Sequence, residues 1–261
     1  MLEALAVWAF AMANDFADEV VVVTGASAGI GAALAAELAG RGARLLLAAR
    51  RRDRLLEVAG RIGAEAVVTD VTRRADVLAL RAAALARFGR IDAWVNNAGR
   101  GMTRTVDALD DDDLDQMIRD NVKSALYGMQ AALGPMKERG RGTIVNVSSM
   151  LGRVPFATIR AAYSAAKAAL DSLTESLRMD LARSHPGIRV VTVFPGVVAT
   201  DFGNNAVFGG PDSRTFPGAQ PVEEVARIVA DGMRAGPLDV YTRADGLESV
   251  LGYLRGLGTA R

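Results

Sequence analysis

The fold is decided by residues 20–31, which read VVVVTGASAGIG. The four valines predict a buried strand, the glycines open a tight turn, and Ala32–Ala39 predicts a helix that stops at Gly40, a natural left-handed cap. In such a strand–turn–helix unit, backbone amides at the start of the helix can hold the pyrophosphate of a dinucleotide. The spacing is Gly-x3-Gly-x-Gly and not the commoner Gly-x-Gly-x-x-Gly, so a simple tight turn stays open as an alternative.

The rest of the chain repeats this alternation of short apolar runs and longer helical stretches. Further strands are predicted at Leu45–Ala48, Ala66–Thr69, Ile91–Asn96, Thr143–Ser148, Ile188–Phe194 and Leu238–Tyr241. Further helices are predicted at Arg51–Ile62, Arg73–Phe88, Asp111–Lys137, Arg160–Arg183 and Glu223–Ala235. Strands that are apolar throughout need cover on both faces, which predicts an α/β protein with a doubly wound parallel sheet of Rossmann type in three αβα layers. We expect one domain over residues 15–261 after an extension over residues 1–14, with ligands at the carboxyl ends of the strands.

Composition excludes several classes of protein. The 261 residues include 31 Lys and Arg, 30 Asp and Glu, one His and no Cys. The net charge of +1 gives no basis for binding nucleic acid or an anionic membrane surface. Disulfides, thiolate sites and multi-histidine metal sites are excluded as well. The consecutive acids Asp110–Asp113 suit the start of a helix better than a metal site, so no metal is expected.

The first residues resemble a signal peptide in part, because their apolar run ends in the small-x-small sequence Ala11-Met12-Ala13. Met1–Asn14 is apolar, but it carries Glu3 and lacks a basic start. It is also too short to span a bilayer. We therefore expect a cytoplasmic protein whose first residues form a frayed or surface-packed extension.

The glycine-rich turn also fits a different chemistry. Gly25–Gly29 matches Gly-x-Ser-x-Gly, the nucleophile elbow of α/β-hydrolases, with Ser27 as the nucleophile. Such an enzyme needs a histidine, and His185 is the one candidate in the chain. His185 sits at a predicted helix end, where an imidazole suits the helix dipole, so a serine hydrolase is the weaker alternative.

A phenol and an ammonium group stand four residues apart at Tyr163 and Lys167. This spacing places them on one face of the predicted helix Arg160–Arg183. A phenol with a pKa near 10 is a poor general base at neutral pH, and a neighbouring cation stabilises its ionised form. The pair follows the fifth strand and Ser148–Ser149, close to the expected ligand edge, and this favours acid–base chemistry over a surface pair.

Taken together and in order, these motifs resemble those of the single-domain short-chain dehydrogenases/reductases, over about residues 15–241. The matching motifs are the Thr24–Gly31 turn, Asp70-Val71, Asn96-Asn97-Ala98-Gly99, Asn121, Ser149, Tyr163 with Lys167, and Pro195-Gly196 leading to Thr200. The resemblance implies an enzyme that moves a hydride between a nicotinamide cofactor and a carbonyl or secondary alcohol. A cofactor-binding regulator without turnover is a second possibility, which a complete Asn-Ser-Tyr-Lys set argues against.

The resemblance also implies a role for each catalytic position. Tyr163 is the general acid or base, and Lys167 lowers its pKa and binds the nicotinamide ribose. Ser149 orients the substrate oxygen, and Asn121 supports a proton relay to Lys167. The segment between Ser149 and Tyr163 is one residue longer than the commonest family spacing. We nevertheless assign the role to Ser149, and expect Ser148 to be structural.

The expected cofactor contacts lie in six short segments. The adenine is expected at Asp70 and Val71, and the carboxamide at Val198 and Thr200. Asn97 is expected to tie strands together as well as line the cofactor. The full set of expected cofactor-binding residues is Gly25, Ser27, Gly29, Ile30, Gly31, Arg50, Asp70, Val71, Asn97, Ala98, Gly99, Tyr163, Lys167, Pro195, Gly196, Val198 and Thr200.

NADP(H) is expected in preference to NAD(H). An acid at the end of the second strand of a Rossmann fold binds the ribose 2′-hydroxyl and repels a 2′-phosphate. Here Ala49 occupies that position and Arg50 follows, and a guanidinium matches phosphate oxygens. Arg51, Arg52 and Arg54 are expected to form a solvated helix face.

Residues 201–221 are rich in Gly, Pro, Asn and Ser but also carry Phe202, Val207, Phe208 and Phe216. A connection of this length at the ligand edge predicts either a lid over the substrate or a static loop that tucks its aromatic residues onto the core. Apolar residues favour a lipophilic carbonyl or alcohol substrate, whereas Arg153 or Arg160 would suit one with an acidic group. The candidate apolar lining is Met150, Leu151, Val154, Phe156, Phe202 and Phe208.

A homodimer or homotetramer is expected from the family resemblance. The helices Asp111–Lys137 and Arg160–Arg183 pair across a two-fold axis in the family. Here they carry an excess of apolar residues, namely Leu126, Met129, Leu170, Leu173 and Leu177.

Overall fold

The computed structural model describes residues 14–257, so the predicted extension over residues 1–14 lies outside the described part except for Asn14. Seven parallel strands form one sheet in the order β3-β2-β1-β4-β5-β6-β7. The strands are β1 Val20–Thr24, β2 Arg44–Ala49, β3 Glu65–Val68, β4 Ala93–Asn96, β5 Gly142–Val147, β6 Ile188–Phe194 and β7 Asp239–Tyr241. The doubly wound α/β fold predicted from the sequence is thereby confirmed.

Helices cover both faces of the sheet. They are α1 Gly29–Gly40, α2 Arg52–Ile62, α3 Arg74–Phe88, α4 Asp111–Ile118, α5 Ser124–Arg139, α6 Met150–Arg153, α7 Ala161–Ser184, α8 Val222–Arg234 and α9 Gly246–Gly256. Alternate side chains of each strand enter opposite layers: Val21 and Val23 pack towards α1 and α8, and Val22 packs towards α3 and α5. All of β1 is buried, because the strand runs through the middle of the molecule. No helix between residues 14 and 257 is both long enough and apolar enough to cross a membrane.

Several predicted element boundaries are wrong. The helix after β1 begins at Gly29 and includes Gly40, and the left-handed conformation occurs at Gly42, with φ of 89°. The predicted fifth strand ends one residue early, at Val147. The last helix, α9, was not predicted, because a segment with three glycines has low helix propensity.

The predicted helix Asp111–Lys137 is in fact two helices joined by a π-helical turn at Arg119–Lys123. At its start, the Asp110 carboxylate accepts a hydrogen bond from the Asp113 amide, and the Asp113 carboxylate accepts one from the Asp110 amide. This reciprocal capping box gives the acidic run the helix-start role that its pattern predicts. Arg104 neutralises both carboxylates from the neighbouring segment.

Candidate active site

The parallel sheet brings the candidate residues to one edge. The segments that follow β1, β4, β5 and β6 all leave the sheet at its carboxyl edge, where β1 and β4 are neighbours. These segments carry the glycine-rich turn, Asn97–Gly99, Ser149 and Pro195–Thr200. The topology therefore places them around one crevice, as expected for a ligand site of an open α/β sheet.

The turn Thr24–Gly31 is packed tightly against the residues after β4. Gly25 has φ of 67°, and a Cβ at this position would lie 2.8 Å from the Ala98 Cα. A Cβ at Gly31 would collide with the Asn97 amide. By contrast, Gly29, with φ of 56°, meets only Thr200, at 3.5 Å. The turn is thus closed towards the sheet and open towards Thr200, where a ligand can approach the backbone.

Asn97 joins the first and fourth strands. Its Nδ2 donates to the carbonyl oxygens of Thr24 (2.9 Å) and Gly25 (3.3 Å). The Thr24 hydroxyl donates to the Val95 carbonyl at 3.0 Å and accepts the amides of Asn97 and Ala98. The expected role of Asn97 in tying strands together is confirmed. Ile30, on the first turn of α1, packs against the core cluster that β1 forms with α1 and α8.

A pair of arginines lies beyond the end of β2. Ala49 is buried at the strand end, and Arg50 is exposed. Arg51 directs its Nε and Nη2 to the Ser27 hydroxyl at 3.2 and 3.0 Å. Arg51 is exposed directly before α2, as expected for a solvated helix face, but its guanidinium also reaches the glycine-rich turn. Sequence proximity to Arg50 was the only available signal.

Asp70 lies within electrostatic range of Arg50. Its Oδ1 accepts hydrogen bonds from the Thr72 amide (3.0 Å) and hydroxyl (2.7 Å). These bonds hold the pKa of Asp70 below its usual value despite partial burial, with Arg50 and Arg73 adding to the effect. Val71 is half-buried and packs against the core cluster between the sheet and the helices α3 and α5. Both residues lie after β3, next to the strand that carries Arg50.

Tyr163 and Lys167 are buried together near the start of α7, with 6% and 4% of their surface exposed. The Lys167 Nζ donates to the Val147 carbonyl at 2.8 Å and lies 5.6 Å from the centre of the Tyr163 ring. Burial raises the pKa of Tyr163 to about 12, although the Ser149 hydroxyl and the Arg160 charge lower it. Burial lowers the pKa of Lys167 to about 8, against the effect of Asp171. At neutral pH the pair is therefore a protonated phenol beside an ammonium group.

The two serines after β5 face different neighbours. Ser149 caps the short helix α6 by accepting the Leu151 amide at 3.1 Å, and its hydroxyl also faces Tyr163. Ser148 faces Asp171 and lowers its pKa, but neither side chain makes a hydrogen bond of good geometry. The arrangement fits the assignment of Ser149, and not Ser148, to the site.

Asn121 lies in the π-helical turn between α4 and α5 and is almost completely buried. Its Nδ2 donates to the Arg100 carbonyl at 3.0 Å and to the Met117 carbonyl at 3.2 Å. Its Oδ1 accepts the Arg100 amide at 3.2 Å. A Cβ at Gly99 would lie 2.7 Å from this Oδ1 and 3.5 Å from the Lys167 Nζ. The glycine thus leaves room for Asn121 and Lys167 to approach the same point.

Asp171 is a charged site residue that sequence reasoning missed. It lies one helical turn after Lys167, and a Cβ at Gly152 would lie 2.6 Å from its Oδ2. Burial raises its pKa to about 6, although Ser148, Arg153 and Lys167 lower it. The i,i+4 spacing to Lys167 was a usable signal.

The segment after β6 closes the crevice. Pro195 accepts the Met150 amide at 3.0 Å, which fixes α6 against the end of β6. Val198 is buried and pairs with Gln220, while Thr200 approaches Gly29. A Cβ at Gly196 would lie 2.8 Å from the Arg243 side chain. Thr200 is thus the residue of this segment that faces the glycine-rich turn.

The loop over residues 201–221 is attached to the segment after β4. Val207 donates its amide to Gly101 at 2.8 Å and accepts the Thr103 amide at 3.0 Å. The Phe202 ring lies 5.6 Å from the ring of Tyr163, centre to centre. Phe208, with φ of 63°, lies under the Arg104 guanidinium. The loop therefore covers Tyr163 and has ordered attachments.

The expected apolar lining needs correction. Met150 and Val154 are buried with Phe194 and Val250 in a separate core cluster, because α6 turns them towards β6 and α9. Arg153 likewise points away, forming an ion pair with Asp239 and lying over the Phe194 ring. Phe156 is exposed. Leu151, Met102 and Val207 belong to the apolar cluster that contains Tyr163.

The topology excludes the serine hydrolase interpretation. Ser27 follows β1 at the carboxyl edge of the sheet, whereas His185 precedes β6 at the opposite edge. Strands of five residues separate the two edges by about 16 Å, which is far beyond hydrogen-bond reach. The Ser27 hydroxyl instead accepts from Arg51.

Comparison with known proteins gives consistent similarities. A family model described as short chain dehydrogenase matches residues 19–207. An uncharacterized oxidoreductase of Staphylococcus saprophyticus is 40% identical over 191 residues, which cover 72% of this chain and 77% of that protein.

Solved structures show the same architecture. A short-chain dehydrogenase/reductase from Burkholderia phymatum, in complex with NAD, superposes with a TM-score of 0.85 at 25% identity, covering 93% of this chain and 95% of the other. An alcohol dehydrogenase from Thermococcus sibiricus, complexed with 5-hydroxy-NADP, gives 0.74 at 28% identity, covering 85% and 95%. One neighbour thus binds NAD and the other an NADP derivative.

Proposed function

The chain belongs to the short-chain dehydrogenase family, and on that premise we propose that it transfers a hydride between NADP(H) and a carbonyl or secondary alcohol. The observation that carries this proposal is the buried pair Tyr163 and Lys167, which lies at the carboxyl edge of the sheet with Ser149 and Asn121 beside it. When bound, the nicotinamide cofactor supplies or accepts the hydride.

The residues at the edge of the sheet fit a dinucleotide. The open side of Gly29 and the start of α1 would hold the pyrophosphate, with Thr200 opposite. Arg50 and Arg51 would hold a 2′-phosphate, since the end of β2 lacks the acid that would repel it. Two guanidinium groups at this position support NADP(H) over NAD(H). Arg50 follows the strand end directly, and the contact of Arg51 with Ser27 brings a second guanidinium to the glycine-rich turn.

Tyr163 would act as the proton donor to a carbonyl oxygen. With its pKa raised to about 12, the phenol carries its proton at neutral pH, so the group suits reduction. The Ser149 hydroxyl, which faces the phenol, would hold the same carbonyl oxygen. Loss of the proton leaves a tyrosinate, which the nearby Lys167 ammonium stabilises.

Lys167 and Asn121 would return the proton. Lys167, with a pKa of about 8, can lose and regain a proton near neutral pH. The Asn121 amide is fixed by the Arg100 backbone, and Gly99 leaves space between its Oδ1 and the Lys167 Nζ. A proton relay through this space is consistent with the burial of both side chains.

A substrate panel tests the proposal. Purified protein is incubated with NADPH or NADH and a series of aldehydes and ketones, and oxidation of the cofactor is followed at 340 nm. We expect turnover with at least one carbonyl and a higher kcat/KM with NADPH. Cofactor binding without turnover of any carbonyl would support a regulator instead, and ester hydrolysis without cofactor would overturn the proposal.

A further inference from the structure

Arg160 occupies an unusual place beside the proposed proton donor. It immediately precedes α7 and lies three residues before Tyr163. Its guanidinium is half-buried, and its one hydrogen bond between residues 14 and 257 is a long one, from Nη1 to the Met102 carbonyl at 3.4 Å. Burial lowers the pKa of Arg160, although its electrostatic interaction with Tyr163 raises it. A cation is therefore held in a partly desolvated position next to the phenol.

In the described part of the chain, no carboxylate pairs with Arg160, whereas Arg104 and Arg153 nearby have acidic partners. Arg104 pairs with Asp110 and Asp113, and Arg153 pairs with Asp239. The acid at the start of the loop, Asp201, is engaged by Arg214. Desolvating a guanidinium without a counter-charge is unfavourable, so the position is best explained by a negative charge supplied from outside the chain.

Two positions that carry no side chain border this guanidinium. A Cβ at Gly101 would lie 2.9 Å from the Arg160 Nη1, and a Cβ at Gly210 would lie 2.7 Å from Nη2. Both neighbours are glycines on the segments that border Tyr163. Phe202 lies against the Tyr163 ring on the same side. Gly25, Gly29 and Gly31 of the glycine-rich turn border Asn97, Ala98 and Thr200. Arg160 instead borders Gly101 and Gly210, and this places it on the side of the phenol away from the turn, where a substrate would bind.

We propose that Arg160 binds a carboxylate on the substrate, so that the protein acts on oxo acids or hydroxy acids. A guanidinium matches a carboxylate with two parallel hydrogen bonds, and this would fix the carbonyl of the same molecule against Tyr163. Met102 and Leu151 would pack against the short apolar part between the two groups. The inference rests on the proposed function and narrows its substrate to charged carbonyl compounds.

The test compares each oxo acid with its neutral methyl ester. Pyruvate, acetoacetate and levulinate place the carboxylate at increasing distance from the carbonyl, and kcat/KM with NADPH is measured for each acid and ester. We expect one acid to exceed its ester by at least about tenfold, as a charge-assisted hydrogen bond provides. Arg160→Met should remove that preference, and Arg160→Lys should restore part of it.

The acid-to-ester ratio is the informative quantity. Loss of the Arg160 charge also changes the pKa of Tyr163, but this affects acid and ester alike and cancels in the ratio. Arg100→Met is the charge-matched control, since the Arg100 guanidinium contacts the Asn205 carbonyl and not the phenol. We expect this control to keep the preference within about twofold, and circular dichroism checks that all variants fold.

A binding experiment separates this inference from the proposed function. Levulinate and methyl levulinate are titrated by calorimetry into protein saturated with NADP+, which cannot reduce them. Tight binding of levulinate alone, weakened tenfold or more in Arg160→Met, supports the carboxylate site even if no carbonyl is turned over. Equal binding of acid and ester, or an acid preference that survives in Arg160→Met, overturns it.

Discussion

Replacing Tyr163 with phenylalanine removes one hydroxyl group and leaves the packing of the ring with Phe202 in place. If this phenol is the proton donor, Tyr163→Phe should lower kcat by about 10²–10⁴-fold, the usual contribution of general acid catalysis. Cofactor affinity should change little, because the Lys167 bond to Val147 does not involve the phenol. Single-turnover rates and fluorescence titration with NADPH measure the two effects, and a variant within threefold of the parent rate would refute the assignment.

The residues at and after the end of β2 should determine the preference between NADPH and NADH. Arg50→Ala and Arg51→Ala should each weaken NADPH more than NADH, by about ten- to a hundredfold for a lost charge-assisted hydrogen bond. Ala49→Asp should shift the preference towards NADH, because a carboxylate repels the 2′-phosphate. Arg52→Ala, on an exposed position of α2, is the matched control. Equal kcat/KM with both cofactors in the parent protein at low salt would contradict the prediction.

Asp171 and Asp92 should give opposite effects of pH on stability. Burial raises the pKa of Asp171 to about 6, so its contribution to stability is full below the unfolded value near 4 and is lost as pH rises through 6. The pKa of Asp92 is held low despite burial, by bonds from Arg90, Arg139 and the Val20 amide. Its contribution is present above the unfolded value and is lost as pH falls through the lower folded value.

Thermal unfolding at pH 7.5 and 5.5 measures this difference. At pH 7.5, Asp171→Asn should stabilise the protein by up to about 3 kcal/mol, since two pKa units correspond to that energy. The gain should shrink at pH 5.5. Asp92→Asn should destabilise the protein by about 1–3 kcal/mol at both pH values. Destabilisation by Asp171→Asn at pH 7.5 would show that its charge is needed for folding.

At the scale of the elements, amide hydrogen exchange in the loop over residues 201–221 should become slower when cofactor and oxo acid bind. The bonds of Val207 to Gly101 and Thr103 hold the first half of the loop. The mostly exposed second half is attached by the Arg214–Asp201 ion pair and by the bond from Arg243 to the Gly218 carbonyl. Closure over a bound cofactor and oxo acid would reduce exchange chiefly in residues 210–219. Unchanged protection there would favour a static loop.

Sequence patterns predicted the sheet, most helices and the position of the site at its edge, because buried strands have a clear apolar signature. They did not reveal the π-helical turn around Asn121, because such turns are rare and this one lies inside an otherwise α-helical stretch. The contact from Arg51 to Ser27 joins residues 24 positions apart, and local propensity contains no information about it. Arg160 was recognisable from the sequence as a charge near the site, but only the fold shows that no carboxylate of residues 14–257 pairs with it.

For the molecule as a whole, self-association remains a prediction. The burial of individual side chains shows which of the expected apolar residues are available to contact a partner. Met129 and Leu170, which we expected at a partner surface, are core residues. Leu173 and Met179 on α7 are exposed at 38% and 63%, and Met179 lines a groove of about 360 Å³ together with Asp171 and Glu175. We expect a homodimer or homotetramer by light scattering at micromolar concentration, weakened in Leu173→Glu. A monomeric parent protein would refute the prediction.

The strand order also has a consequence for synthesis on the ribosome. β1 is made first but lies in the middle of the sheet, pairing with β2 from residue 44 and with β4 from residue 93. At usual translation rates, roughly 2–10 s pass between the synthesis of residues 44 and 93. During this time the valine-rich edge of β1 that later pairs with β4 has no partner strand. Bare edges of this composition seed aggregation, and Asp18 and Glu19 are the charges that flank it. Slow codons between residues 44 and 93 should therefore lower the yield of folded protein more than slow codons elsewhere.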